Sequence, residues 1–495
     1  MIDTRDREGG RAALVLLFIL LLLVLVAASC TAIRMFDRTA PHVSVTTHAK
    51  AIGKSARITI EADEPKWGVR ELHATFVQGE VEVPLGEVTH PHNSLLRFWR
   101  KRDIKPSVLL EVEVGRARIP EMKEGPAVIR AEAVSDSWAR FGKGRTTVQE
   151  ITIPVVLTPP RVETVSSQHY INQGGSECVT YRVSETAVES GVRVGNALFR
   201  GFPLPGGGPG DRFCIFAFPY NEPPTTVPVV YARDAADNES TANFLFKIFP
   251  KKFPDQSLPV TDEFLRRVVP AILSESPQIS TENDLVKDFL QINGRLRRLD
   301  AAYLVDLSAN SKPERLWNGA FTQLGNSKVE AAFADHRAYV YNGHVIDHQD
   351  HLGFDLAVTA NHPIEAANDG LVMLAKYFGI YGNTVVLDHG YGLMTLYAHL
   401  SSIDVKAGET VKRGQTVGKS GATGLAGGDH LHFSVLVQGV PVNPIEWWDA
   451  HWIHDRIEAK LTPGGEIAVA ESTTAAKASP PSSGRRSPRK RHAPR

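Results

Sequence analysis

Three features of this sequence predict a multidomain, mainly β protein. Short runs alternate apolar and polar residues with a period of two, the mark of strands with one buried face. Forty glycines and 31 prolines punctuate those runs, as frequent turns require. The chain, at 495 residues, exceeds what one core organises at ~100–200 residues per domain. The predicted order is an N-terminal transmembrane helix, two β-sandwiches, a small helical connector, an antiparallel β domain with a groove, and a polar tail.

The N-terminal element rests on Ala12–Ala28, seventeen residues without a charge, behind a head (1–11) carrying Arg5, Arg7 and Arg11. Such a run lies near the lower limit for spanning a bilayer core. Three readings of segment 12–30 stand: an uncleaved anchor in a bacterial inner membrane with the head in the cytoplasm, a lipoprotein signal, or a cleaved export signal. Ala27-Ala28-Ser29-Cys30 resembles a bacterial lipobox, with Ala27 where Leu, Val or Ile is usual, and Cys30 would then be lipidated. All three readings put the remaining chain outside the cytoplasm, in the periplasm for a thin-walled cell.

From 41 to 158, runs such as Ala56-Arg-Ile-Thr-Ile-Glu-Ala and Val108-Leu-Leu-Glu-Val-Glu-Val predict a first β domain, closed by Pro159-Pro160. A second, from 159 to 250, ends on Val229-Val-Tyr-Ala-Arg-Asp-Ala-Ala-Asp-Asn-Glu-Ser. That turn resembles those of bacterial immunoglobulin-like (Ig-like) domains, and a similar strand–turn–strand closes the first segment, a weak internal repeat. The resemblance implies spacer or adhesive modules. Cys178 and Cys214 lie in two strand-like runs of the second segment. In an exported protein they form a disulfide, or else stay as two buried thiols. Pro203-Leu-Pro-Gly-Gly-Gly-Pro-Gly lacks the Gly-Lys-Ser/Thr of a phosphate cradle and reads as a loop.

Between 251 and 325 the period becomes helical, as in Asp262-Glu-Phe-Leu-Arg-Arg-Val-Val, with Thr261 and Thr281 or Asn283 as N-caps. From 326 to 450 strands return. The stretch from 461 to 495 is rich in Ser, Pro and Ala, reads as disordered, and ends in the basic Arg485–Arg495 run. Outside the cytoplasm that run suits an anionic lipid or envelope polymer. A formal net charge of zero gives no reason to expect nucleic acid.

Nine histidines fall between 330 and 450: His336, His344, His348, His351, His362, His389, His399, His430 and His432. Spacing sorts them. His430 and His432 flank Leu431 in a strand, so both imidazoles enter one groove while Leu431 and Phe433 pack behind. His351 and Asp355 would lie ~13 Å apart if extended. Sharing one ion therefore needs a bend, which Gly353 permits. Imidazoles and a carboxylate of this kind suit zinc. His348 is a weak candidate for a His-x-x-His pair, His389 reads as a structural histidine at a strand end, and His336, His344 and His362 read as loop or surface residues.

Taken in order, His351-x-Gly-x-Asp355, Asn368-Asp-Gly-Leu-Val, Tyr381-Gly-Asn-Thr-Val-Val-Leu-Asp-His-Gly, Leu396-Tyr-Ala-His399-Leu, Gly421-x-Thr-Gly and His430-Leu-His432-Phe resemble the lysostaphin-type, or LytM-type, zinc metalloendopeptidases of peptidoglycan. The resemblance covers about a quarter of the chain. It implies one zinc ion per chain held by His351, Asp355 and His432, with His430 as general base and His399 as its partner. It also implies a peptidoglycan peptide as substrate. Some relatives have lost ligands and only bind wall or activate amidases; here all five positions are kept, which favours an enzyme.

Overall fold

The computed structural model describes residues 5–35, 38–92 and 104–462. The tail expected to be disordered, beyond 462, lies outside them. Two compact units result, Met1–Pro160 with Arg233–Glu239, and Arg161–Ala232 with Ser240 onward.

In the first unit a helix covers Arg5–Met35, where the transmembrane segment is expected. Its side chains from Leu14 to Val26 are all apolar and exposed. Among the described residues, however, no helix is long and apolar enough to cross a membrane. Beyond the helix lie two antiparallel sheets. One joins His42–Thr47, Ala56–Asp63 and Ser107–Val114; the other joins Val81–Thr89, Val69–Gln78, Gly125–Ser135 and Thr146–Val155. The period of two in Ala56–Asp63 is realised as alternating burial. Its inward residues Ile58 and Ile60 share one core with Phe76 and Ile129.

The second unit opens with another pair of sheets. One carries Phe202–Pro203, Asp211–Ala217, Ser176–Val183 and Val162–Thr164; the other includes Ala197–Arg200 and Ala187–Val194. Cys178 and Cys214 sit on neighbouring strands but are not disulfide-bonded. The register explains why. Cys178 faces Ile215 and Cys214 faces Val179, so the two side chains are one step out of phase and leave the sheet on opposite faces.

Helices follow at Asp262–Glu275, Leu285–Gln291 and Arg297–Ser308, the last two joined by one π turn at Ile292–Leu296. Thr261 caps the first through its hydroxyl, which accepts from the Phe264 amide at 3.2 Å. Asp284, rather than Thr281 or Asn283, caps the second, accepting from the amides of Val286 and Lys287. Asn283 adopts φ +59°, so the helix starts only after it, and the Thr281 hydroxyl instead donates to Asp288 at 2.6 Å. Leu265, Val269, Phe289 and Leu296 bury their apolar faces against Tyr339 and Ile380 of the following domain.

That domain is built on an eight-stranded antiparallel sheet. Its order is Lys328–Ala331, Phe354–Ala357, Leu431–Val437, Leu393–Leu400, Asn383–Gly390, Gly370–Tyr377 and Thr410–Val411, with Val440–Val442 hairpinned onto Leu431–Val437. Central strands Asn383–Gly390, Leu393–Leu400 and Leu431–Val437 are buried almost throughout, so they read as near-continuous apolar runs rather than alternating ones. Within this unit a single apolar core runs from Ile171 to Leu461. Tyr391 links it, packing edge-on at 4.8 Å from Phe213 and 6.2 Å from Trp317. Helices after Asn443 close the same core, and the buried Lys460 ammonium donates to Glu177 and to the Cys178 carbonyl, both at 2.8 Å.

Candidate active site

Adjacent sheet strands bring the site together. Asp355 pairs directly with His432 across the sheet, and His432 pairs with Ala398, the neighbour of His399. His351 ends the strand His344–His351, and Phe354 starts the next. The chain turns between them, so that His351 Nε2 lies 2.9 Å from Asp355 Oδ1. Gly353 is needed there for closeness rather than for a left-handed backbone. A Cβ on it would fall 2.6 Å from both His432 Nε2 and Ser434 Oγ.

His351 Nε2, Asp355 Oδ1 and His432 Nδ1 form a triangle with edges of 2.9, 3.0 and 3.0 Å. Hydrogen bonds behind the triangle fix the proton on each ring. His351 Nδ1 donates to the Ala332 carbonyl at 2.9 Å, which leaves its Nε2 lone pair facing inward. His432 Nε2 donates to Ser434 Oγ at 3.0 Å, whose own hydroxyl donates to the Leu352 carbonyl at 2.8 Å. That leaves the His432 Nδ1 lone pair facing inward. Two nitrogen lone pairs and a carboxylate oxygen converging at this distance repel unless a cation lies among them. Zinc donors at ~2.0–2.1 Å in a tetrahedral shell stand ~3.3 Å apart, so the three residues fit that ion.

His430 and His399 line the other side. His430 Nδ1 donates to the Gly428 carbonyl and His399 Nδ1 to the Thr423 carbonyl, each at 2.8 Å, so both present a bare Nε2. Their rings stand 4.9 Å apart. His399 holds φ +62°, a left-handed conformation uncommon for a residue with a Cβ and typical of sites where geometry outweighs local strain. Burial holds the His399 imidazolium well below its usual range, and the neighbouring imidazoles add to this. For His430, burial also disfavours the charged form, but the Asp355 carboxylate 3.3 Å away outweighs it and raises the pKa.

Further residues outside the expected set serve the site, Ala332 among them through its carbonyl. Arg337 Nη2 donates to Asp355 Oδ2 at 2.8 Å, leaving Oδ1 for the triangle. Ser434, Thr423 and Gly428 set ring tautomers as described. Tyr381 lines the cavity, 5.6 Å from the His432 ring. The remaining histidines lie elsewhere. His389 is fully buried and bonded to the Asp369 carbonyl and Thr395 hydroxyl; His336 pairs with Asp350; His344 and His348 are exposed. Tyr397 belongs to the core, where its hydroxyl accepts from the Ala367 amide.

The cavity above these groups measures about 320 Å³. Phe264 and Val260, from the segment before the domain, form part of its wall. Arg267 reaches from the same segment to the carbonyls of Ala426 and Gly427, at 2.8 and 3.4 Å.

Two histidines and one aspartate thus form a group that could hold a metal ion, with two further imidazoles beside it. Residues 349–444 match Peptidase family M23, so the C-terminal part of the chain carries an M23 peptidase domain. Peptidoglycan DD-endopeptidase ShyA of Vibrio cholerae is 44% identical over 96 residues, 19% of this chain and 22% of the relative. Peptidoglycan DD-endopeptidase ShyB of the same organism is 34% identical over 138 residues, 28% of this chain and 32% of the relative. The chain thus spans a third or less of the length of these relatives. The catalytic domain of lysostaphin from Staphylococcus simulans aligns at 28% identity and a TM-score of 0.23, over 26% of this chain and 98% of that domain.

Proposed function

We propose that this protein is a zinc-dependent endopeptidase that hydrolyses peptide crosslinks of peptidoglycan. The observation that carries the reading is the triangle of inward lone pairs on His351, Asp355 and His432, flanked by two further imidazoles with bare Nε2 atoms. His351, Asp355 and His432 would hold one zinc ion, which supplies Lewis acidity toward an amide carbonyl and a water molecule. His430 takes the proton of the attacking water at Nε2, its own proton being fixed on Nδ1 by the Gly428 carbonyl. His399, kept neutral by burial, accepts a hydrogen bond at Nε2 and orients that water. His430 then returns the proton to the departing amine.

The substrate lies outside the cytoplasm, and so, in this reading, does the domain. The exposed apolar surface of the Arg5–Met35 helix serves export or attachment to the membrane. The basic run Arg485–Arg495 adds contact with anionic envelope polymer.

Purified wall embedded in a gel tests the activity. Clearing is expected from the native chain, lost with a chelator and restored by zinc. His430→Ala is expected to give no clearing, and undiminished clearing by that variant would overturn the assignment.

A further inference from the structure

We propose that Arg297 forms a subsite for a free carboxylate on the peptide substrate, close to the scissile amide. The proposal rests on the peptidase reading and specifies which peptides the same cavity prefers. Arg297 and Arg337 both line the 320 Å³ cavity that contains the three-donor triangle. Arg337 is committed to Asp355. Arg297 makes no ion pair with a carboxylate among the described residues, the buried Asp300 acting on it only through its charge. Its Nε donates to the Asn293 carbonyl at 3.2 Å and its Nη2 to Asn293 Oδ1 at 2.7 Å.

Those two bonds hold the guanidinium still and leave its Nη1 side without a protein acceptor. Asn293 is itself oriented, donating from Nδ2 to Asp347 at 2.7 Å. The acid nearest in sequence, Asp300, spends its Oδ2 on the Ile380 amide at 3.0 Å. The cavity wall therefore presents two guanidiniums against one carboxylate, Asp355, with Phe264, Val260 and Ile380 as apolar surroundings. A planar guanidinium with a free edge matches a carboxylate fork, and the apolar surroundings strengthen the pairing. An extended peptide advances ~3.3 Å per residue. Arg297 and the triangle line one cavity, so the recognised carboxylate lies close in sequence to the bond cut.

The test uses the full chain with zinc and a pair of crosslinked peptides. One bears a free carboxylate beside the scissile amide; the other bears the carboxamide there. The native protein is expected to favour the carboxylate by roughly 10–100-fold in kcat/KM, and Arg297→Gln to bring that ratio close to one. Arg297→Lys, which keeps the charge but not the fork, is expected to fall between, and thermal unfolding and bound zinc check that each variant is folded. Calorimetric binding of the cleaved carboxylate peptide to chelator-treated protein gives a second readout, expected to be lost in Arg297→Gln. Equal cleavage of both peptides by the native chain, or an unchanged ratio in Arg297→Gln, overturns the carboxylate subsite and leaves the peptidase reading intact. Cleavage of neither peptide overturns both.

Discussion

Arg337 and Asp355 are joined by one 2.8 Å hydrogen bond that leaves the inner oxygen of the carboxylate facing His351 and His432. The strands that carry them belong to different sheets, so the bond fixes the carboxylate across a seam. A partner that orients a metal ligand typically contributes 10–100-fold to metal affinity. Arg337→Ala is expected to weaken zinc binding by roughly that factor, measured by competition with a chromophoric chelator, and Asp355→Ala to weaken it further. Equal affinity in Arg337→Ala would show that the bond does not orient the ligand.

His430 and His399 should separate from the ligands by metal content. His430→Ala and His399→Ala are each expected to keep about one zinc per chain by elemental analysis while kcat falls. Loss of a general base or its partner typically costs 10²–10⁴-fold. His351→Ala and His432→Ala are expected to lose the metal as well.

Glu446 offers a pH dependence of stability. Burial pushes its carboxyl up to about 7, although hydrogen bonds from Asn172 and Ser176 pull the other way. A raised folded-state pKa means the contribution is fully present below about 4.5 and is lost as pH rises through about 7. Melting temperature should therefore fall across that window, by on the order of 3 kcal/mol of stability at ~1.4 kcal/mol per unit. Glu446→Gln should flatten the curve between pH 4.5 and 7; an equally steep curve in the variant would assign the slope to other groups.

Cys178 and Cys214 point to opposite faces of their sheet, so reducing agent is expected to leave the melting temperature of the oxidised protein unchanged. A drop of several degrees on adding reductant would reveal a bond and require a shifted register.

Cell fractionation tests the role of the N-terminal helix. The native chain is expected in the membrane pellet after a high-salt wash, and a chain lacking residues 1–40 in the soluble extract.

Strand period made His430 and His432 legible as a pair on one face, whereas His351, Asp355 and His399 were picked out by motifs shared with the lysostaphin-type peptidases. The supporting residues were not. Arg337 is one arginine among many in the sequence, and only the pairing of Asp335 with His351, which folds its strand back over the site, brings it to Asp355. Gly353 was legible as the site of a bend, which the chain makes there; the need for space beside His432 was not, because it depends on a strand about 80 residues later. The left-handed backbone of His399 likewise has no local signal, since neither neighbour is Gly, Asn or Pro. The second cap was misplaced by one to three residues because Thr281, Asn283 and Asp284 are all good capping types, and only backbone geometry chooses among them.

The wall formed by Arg267 and the Ala426–Gly427 carbonyls has one more consequence. Gly428, next along that loop, sets the proton on His430; Ala332 does the same for His351; and Arg337 holds Asp355. Arg267, Ala332 and Arg337 all precede residue 349, where the family match begins. A piece cut to residues 349–444 would therefore keep His351, Asp355, His399, His430 and His432 yet lose Ala332 and Arg337, the groups that orient His351 and Asp355.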